Sequence, residues 1–194
     1  MNVFDKSYYE SNNYTDYLGR GDRYLRLEED ISFLLKKFNM DQGPRLDFGC
    51  AVGFLLEGLN RREGHSYGSD ISEYALEECR KKGLYAQKTP DWSLLHSTVF
   101  ALDVLEHIPE SELNTFFDKI RTKCIIFRIP VCAKGEDDYV LEVSRNDPSH
   151  IIRWNKSQWQ ERFRSAGYLP LDLNLSTIYC SEGVYSGIAL SLDE

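Results

Sequence analysis

Three acids and a glycine-containing turn are spaced as a nucleoside ligand would need them. Asp47 sits in a short apolar run, Arg45-Leu-Asp-Phe48. Gly49-Cys-Ala-Val-Gly53 follows, small residues that let backbone approach a ligand closely, and Phe54 to Leu59 then resumes at helical spacing. A strand, a glycine turn and a helix N-terminus make a cradle whose exposed N–H groups and positive dipole end favour a carboxylate or phosphate. Asp70 ends the segment Gly64-His-Ser-Tyr-Gly-Ser-Asp70, about 20 residues beyond the turn, the spacing at which such folds set a carboxylate on a ribose diol. A carboxylate accepts hydrogen bonds from both hydroxyls, so Asp70 suits adenosine. Asp103 falls where the buried run starting at Ser97 would leave a sheet at its ligand-binding edge, and Glu106, His107 and Pro109 follow it, an unusual cluster. The dinucleotide fingerprint G-x-G-x-x-G fails, because Ala51 and Phe54 occupy its second and third glycine positions.

Holding these residues together requires alternating strands and helices, and the chain supplies them. Asp22 to Phe38 reads as an amphipathic helix, with Leu25, Leu27, Ile31, Phe33, Leu34, Leu35 and Phe38 apolar, and Asn39 to Pro44 breaks it. After the first strand and helix and the strand ending at Asp70, Ser72 suits the N-cap of a helix over Glu73 to Lys82, with Gly83 at its C′ position. Leu84 to Lys88 is a weak strand and Thr89-Pro-Asp-Trp92 a loop. The run from Ser97, a helix from Glu110 to Ile120 and a strand from Thr122 to Ile129 continue the alternation, which implies a doubly wound parallel α/β sheet. Val131 to Ile152 is a long polar stretch that reads as an active-site cover. A helix over Trp154 to Ala166, closed by Gly167, precedes strands over Leu169 to Leu175 and Gly183 to Leu192, whose short connection suits an antiparallel pair at the sheet edge.

Composition bounds the function. The 194 residues suit one domain, and 42% hydrophobic with 28% charged residues is a soluble globular balance. No apolar run reaches the roughly 20 residues of a membrane helix, and Met1 to Glu10 lacks a basic region followed by an apolar one, so a cytoplasmic location is expected. Five scattered cysteines without a C-x-x-C pair point to reduced thiols rather than disulfides or a zinc site. A net charge of −8 makes nucleic acid a disfavoured partner and leaves Arg20, Arg23, Arg26, Arg61 and Arg62 as solvated faces. Residues 1 to 20 carry Phe4, Tyr8, Tyr9, Tyr14 and Tyr17, an aromatic arm that packs either over the core edge or over the ligand as a lid.

The loop Asp47-Phe-Gly-Cys-Ala-Val-Gly53 resembles the first motif of class I S-adenosylmethionine-dependent methyltransferases, an acid, one residue, then G-C-[GA]-x-G. With Asp70, Asp91-Trp92 and Leu102-Asp-Val-Leu-Glu-His-Ile-Pro109 in order, the likeness extends over residues 40 to 194. Asp147-Pro-Ser-His-Ile-Ile-Arg-Trp154 and the helix to Gly167-Tyr168 are similar to a subset that often methylates small metabolites or sugars. Ala51 departs from glycine, and the short third-strand region leaves the adenine contact open. The resemblance implies a Rossmann-like, seven-stranded sheet with an antiparallel last strand, an N-terminal arm and helix over 1–39 acting as a lid, and a core over 40–194. It implies S-adenosyl-L-methionine as cofactor, with Asp47, Gly49, Cys50, Ala51 and Gly53 around the methionine moiety and Asp70 on the ribose. Ile71 would flank adenine, and Asp91 and Trp92 would lie at its edge, although Ile71 and Trp92 also suit an apolar core.

The implied reaction is attack of a small-molecule hydroxyl or amine on the sulfonium methyl, where in-line positioning can supply about 7–11 kcal/mol. A hydroxyl acceptor also calls for a general base worth roughly 10²–10⁴-fold. His107 and His150 are the candidates, with Asp103 beside them as a catalytic acid residue. Asp103, Glu106, His107 and His150 are also similar to the E-x-x-E-H plus distant histidine that holds a divalent metal in small-RNA 2′-O-methyltransferases and, in part, in quinone-pathway O-methyltransferases. Asp103 is shorter than the glutamate it replaces, and no residue is assigned as a metal ligand from sequence. A methyltransferase-like binding module without activity is the competing class.

Overall fold

The structure, a computed structural model, describes residues 4–10, 21–37, 42–61 and 65–192. The arm's tyrosines at 14 and 17, the helix break from Phe38 through residue 41, Arg20 and Arg62, and the expected start of the second strand at Gly64 lie outside the described residues. The chain divides into two compact units, Met1–Phe100 and Ala101–Glu194.

In the first unit, β1 (Arg45–Phe48) pairs in parallel with β2 (Ser66–Ser69), Asp47 opposite Gly68, and β2 pairs in parallel with β3 (Ala86–Gln87). The side chain of Arg45 is buried at the start of β1, and its Nε donates to Ser66 Oγ at 3.0 Å, so the guanidinium is not left without acceptors. Helix α1 covers Lys6–Glu10 and α2 Gly21–Lys37. Leu27, Ile31 and Leu35 recur every fourth residue along α2 and are buried, whereas Phe33, counted with the apolar face in the sequence, is 70% exposed. It lies on the opposite side of a helix whose period is 3.6 residues. Helix α3 (Phe54–Asn60) follows the glycine turn. Helix α4 (Glu73–Lys81) has the expected N-cap, Ser72, whose side chain accepts from the Ala75 N–H at 3.1 Å, and Gly83 follows with φ 71°.

Strand β4 (Thr98–Leu102) leads into the second unit. A 3₁₀ turn, Leu105–His107, precedes α5 (Glu110–Lys119) and β5 (Cys124–Pro130). Within the polar stretch after Pro130 lies a short α6 (Glu142–Arg145) that periodicity does not reveal. Helix α7 (Lys156–Ser165) opens with a reciprocal capping box between Asn155 and Gln158. The last strands, β6 (Tyr168–Asp172) and β7 (Val184–Ser191), pair antiparallel, and β7 runs antiparallel to β5 with Phe127 opposite Gly187. A side chain at Gly187 would meet Phe127 Cζ at 2.4 Å, so glycine lets the Phe127 ring lie across β7. Phe127 stacks on Phe163 of α7 with ring centroids 4.4 Å apart, and Phe163 meets Phe117 of α5 edge-on at 5.4 Å.

The seven strands run in the order β3-β2-β1-β4-β5-β7-β6. This is the expected α/β, Rossmann-like sheet with its last strand antiparallel to its neighbour. Asp47 and the glycine turn, Asp70 and Asp103 thus all come at the C-terminal ends of strands, where open α/β sheets bind ligands. Among the described residues, no helix is long and apolar enough to cross a membrane.

Candidate functional site

In the first unit the turn after β1 takes left-handed backbone at alternate residues, Gly49 (φ 73°), Ala51 (φ 47°) and Gly53 (φ 82°). Gly53 is doubly constrained, since a side chain there would also come within 2.6 Å of Leu84 and 2.9 Å of the Cys79 sulfur. Four N–H groups of the turn are bonded within the protein, where the sequence suggests exposed donors. Those of Gly49 and Cys50 both donate to the Ser69 carbonyl, at 2.8 and 3.0 Å, and that of Gly53 donates to Cys50 O at 2.9 Å. The Ala51 N–H donates to Asp70 Oδ2 at 2.8 Å. Alternating left-handed residues fold these donors back onto β2 and the turn itself, and what the turn presents outward is the Asp70 carboxylate it helps to hold.

Each oxygen of Asp70 takes one backbone N–H, Oδ2 from Ala51 and Oδ1 from Ser72 at 2.8 Å. A second lone pair remains on each oxygen, the capacity needed for two hydroxyls of a diol. Burial pushes the Asp70 carboxyl up, and the two N–H groups oppose it. Asp47 is 4% exposed, and its Oδ2 has no hydrogen-bond partner among the described residues. Burial, followed by the charge of Asp70, raises its pKa to about 7. An unpaired buried carboxylate oxygen is costly unless a cation or a donor reaches it.

Ile71 is 57% exposed, which removes the core reading of that residue and leaves an apolar side chain open beside Asp70. Asp91 is exposed and its carboxylate accepts from Ser93, from the N–H at 3.0 Å and the hydroxyl at 2.6 Å, while Trp92 is half-buried. Cys50 is buried and packs with Leu56, Cys79 and Leu84 beneath the turn. Tyr9 of α1 is 5% exposed and packs on Ala51 and Ala75, and the carbonyl of Phe4 accepts from the Ser72 hydroxyl at 2.5 Å. The described part of the arm therefore lies against the same turn that holds Asp70. His96, a fourth histidine in this unit's buried interior, has its Nε2 2.8 Å from the Tyr67 hydroxyl, the pairing of a satisfied core residue.

In the second unit Asp103 follows β4 with left-handed backbone, φ 53°, and its N–H donates to Arg128 O at 2.7 Å. The Arg128 side chain grips the Asp103 carboxylate through Nε, at 3.0 and 2.9 Å, and through Nη2. Both carboxylate oxygens are thus engaged by one guanidinium, which braces the start of the 3₁₀ turn.

That turn puts Glu106 fully inside the protein, and the chain beyond α6 returns onto it, with the N–H groups of Ile151 and Ile152 both donating to Glu106 O, at 2.9 and 3.0 Å. The return sets His150 against His107, ring centroids 4.6 Å apart. His107 Nδ1 lies 3.1 Å from Ser149 O, and His150 Nδ1 lies 3.0 Å from Ser144 O. A carbonyl only accepts, so both Nδ1 atoms carry the proton and both Nε2 atoms carry the lone pair. Each Nε2 is 3.9 Å from Glu106 Oε1. One donor atom from each of Glu106, His107 and His150 lies within 4.8 Å of the others, the donor set of a cation site. Neither oxygen of Glu106 has a hydrogen-bond partner among the described residues.

Burial, then the charge of Asp103, holds the Glu106 carboxyl well above the usual carboxylate range. Burial, then the neighbouring His150, lowers His107 to about 4, and burial lowers His150 as well. The imidazoles are therefore neutral at physiological pH. Asp103 is outside the converging set, and Asp147, absent from the sequence-based grouping, stands beside it with Oδ2 3.8 Å from His150 Nε2. The segment Asp147-Pro-Ser-His carries the signal that could have found it, an acid two residues before a serine, the pattern of a side chain closing on its own backbone.

Known proteins share the fold, and two curated proteins match parts of the sequence. No family model matches the chain. It is 33% identical over 66 residues to the dTDP-3-amino-3,4,6-trideoxy-alpha-D-glucopyranose N,N-dimethyltransferase of Streptomyces venezuelae, a match covering 34% of this chain and 28% of that protein. It is 28% identical over 94 residues to the ubiquinone biosynthesis O-methyltransferase of Marinobacter nauticus, covering 41% of this chain and 40% of that protein. The matches thus span well under half the length of these curated relatives. Among solved structures, Streptomyces venezuelae DesVI superposes with TM-score 0.66 at 16% identity, over 90% of this chain and 94% of that one. An S-adenosylmethionine-dependent methyltransferase from Clostridium acetobutylicum gives 0.65 at 15% identity, over 93% and 99%. The magnesium protoporphyrin IX methyltransferase of Synechocystis PCC 6803 with bound SAH gives 0.61 at 16%, over 94% and 96%.

Proposed function

From a chain that has the class I S-adenosylmethionine-dependent methyltransferase fold, we propose that this protein transfers the methyl group of S-adenosyl-L-methionine to a hydroxyl or amine of a small metabolite, a sugar or polysaccharide precursor by preference. The observation that carries the reading is the pair of acids in the first unit. Asp70 has one backbone N–H on each oxygen and a lone pair to spare on each, which fits the ribose diol. Asp47 has a buried oxygen without a partner, which fits a cationic end of the same ligand, the α-ammonium of the methionine moiety. Gly49, Cys50, Ala51 and Gly53 supply the wall against which that moiety lies, Ile71 an apolar face for adenine, and Asp91 and Trp92 its edge. Residues 1–39 form the lid and 40–194 the core, with Tyr9 the arm's contact with the turn. Both curated relatives are named for methylation of small molecules, one on nitrogen and one on oxygen. The five free cysteines suit a reducing, cytoplasmic setting.

His107 and His150 act at the acceptor. As a general base, a histidine lowered to about 4 is weak at neutral pH. Glu106 favours a second reading, in which it holds a divalent cation together with His107 and His150. A buried carboxyl whose oxygens have no side-chain hydrogen-bond partner among the described residues faces two imidazole nitrogens, a donor set that suits a cation. Such an ion would lower the pKa of an acceptor hydroxyl bound to it, which suits an O-methyltransferase acting on a quinone precursor or an RNA end.

A radiolabelled-methyl screen over nucleotide sugars, small phenols and amines, with tRNA included, tests both readings. Label transferred to a small molecule supports the first. Loss of that transfer in EDTA and its return with Mn²⁺ or Mg²⁺ supports the cation, and indifference to EDTA leaves the histidines as bases. A protein that binds the cofactor and labels nothing is a binding module.

A further inference from the structure

We propose that Asp147 and Ser149 are positioning residues that together aim both imidazoles of the histidine pair, an inference that rests on the reading of Glu106, His107 and His150 as a cation site. Ser149 has a single hydroxyl proton. Its Oγ donates that proton to Asp147 Oδ1, because a carboxylate can only accept. The same Oγ lies 3.0 Å from His107 Nδ1 and therefore offers that nitrogen a lone pair. With Ser149 O at 3.1 Å as well, His107 Nδ1 faces two oxygen acceptors, which favour the proton there. Asp147 thus acts on His107 through Ser149, leaving the His107 Nε2 lone pair on the side of Glu106.

The second arm of the device reaches His150. Ser149 N–H donates to Asp147 Oδ1 at 2.8 Å, closing a tight turn over residues 147–149 that places His150 next in the chain. Asp147 thus acts on His150 through this turn, its Oδ2 lying 3.8 Å from His150 Nε2 and beyond hydrogen-bond reach. Both Asp147 and Ser149 are buried, Asp147 at 4% and Ser149 at 9% exposure, so water does not compete for these bonds. The Asp103 charge is matched by Arg128, which leaves Glu106 and Asp147 as the acids that would face a bound cation. Partners that fix the tautomer and direction of a ligating histidine typically change metal affinity by about 10–100-fold when removed.

Titration of the full chain with Mn²⁺ alone, in the parent and in Ser149→Ala, Ser149→Thr and Asp147→Asn, tests this. Mn²⁺ affinity should fall about 10–100-fold in Ser149→Ala and Asp147→Asn and recover in Ser149→Thr, which keeps the hydroxyl. The affinity for S-adenosylhomocysteine, whose proposed contacts lie in the first unit, should not move, which separates positioning from loss of fold. Parental Mn²⁺ affinity in both Ser149→Ala and Asp147→Asn would overturn the proposal while leaving the cation site standing. If the parent itself shows no Mn²⁺ affinity, the cation reading has failed, and nitrogen-15 NMR of the metal-free protein decides the rest. Nδ1-protonated His107 and His150 in the parent, with His107 moving toward the Nε2 tautomer in Ser149→Ala, would uphold the positioning role, and an unchanged tautomer in both variants would overturn it.

Discussion

Oε1 of Glu106 and Nε2 of His150 face each other at 3.9 Å, inside the protein, without a hydrogen bond between them. The gap is too long for a direct hydrogen bond, and the two groups are donors that would hold a cation. His107 Nε2 repeats the same separation. In the absence of an ion, burial favours the protonated, neutral form of Glu106, which glutamine mimics in shape and charge.

Replacing Glu106 by glutamine should therefore not destabilise the metal-free protein. In EDTA, the melting temperature of Glu106→Gln is expected to equal or exceed that of the parent. In saturating Mn²⁺ the parent should gain about 2.7 kcal/mol at a hundredfold excess over its dissociation constant, and the variant should gain nothing. A variant that melts well below the parent in EDTA would show that Glu106 is already satisfied in the metal-free fold.

At Asp70, the conservative change Asp70→Asn replaces one acceptor oxygen by a donor. Cofactor affinity should drop by about 1–3 kcal/mol, the range for a hydrogen bond to a charged group. One of the two backbone N–H partners remains, so the loss of stability should be small. Binding of S-adenosylhomocysteine at parental affinity would remove Asp70 from the ribose.

The sheet was legible because its strands are apolar runs closed by acids, and the α4 caps Ser72 and Gly83 stand where their residue types require. The Asn155 to Gln158 capping box is also visible in the sequence, as N-x-x-Q. Other features leave no local mark. Asp103 looked like a free acid until Arg128, 25 residues further on, was folded against it. The inward turn of the Ala51 N–H depends on a left-handed backbone at a residue that is not glycine, and the approach of Ser149 to His107 spans 42 residues. Phe33 shows the limit of counting apolar residues, since it is exposed where the apolar face of a helix was expected.

Asp47 gives the cofactor-free protein a pH dependence of known sign. Its folded pKa is raised to about 7 from an ordinary value of 3.8, so across that interval the folded state holds a proton that the unfolded state has released. Stability from this group is full below about pH 4, is lost as pH rises toward about 7, and changes no further above it. The stability of Asp47→Asn relative to the parent should therefore increase across this window, by an amount on the order of a few kcal/mol. A difference that stays flat with pH would contradict the burial of the Asp47 carboxyl with one oxygen unpartnered among the described residues.

The N-terminal arm should become more protected when the cofactor binds, because Tyr9 already packs on Ala51 and the Phe4 carbonyl on Ser72. Hydrogen exchange over residues 4–10 is expected to slow in saturating S-adenosylhomocysteine, and Tyr9→Ala to abolish the slowing. Equal exchange with and without the ligand would count against a lid.

The central claim is that the turn after β1 and the acid after β2 bind S-adenosylmethionine. Isothermal titration of the full-length chain with that compound tests it most directly. Saturable binding at one site per chain with a dissociation constant well below millimolar, weakened in Asp70→Asn, is the predicted result, and no heat of binding up to millimolar concentration in a folded protein would contradict it.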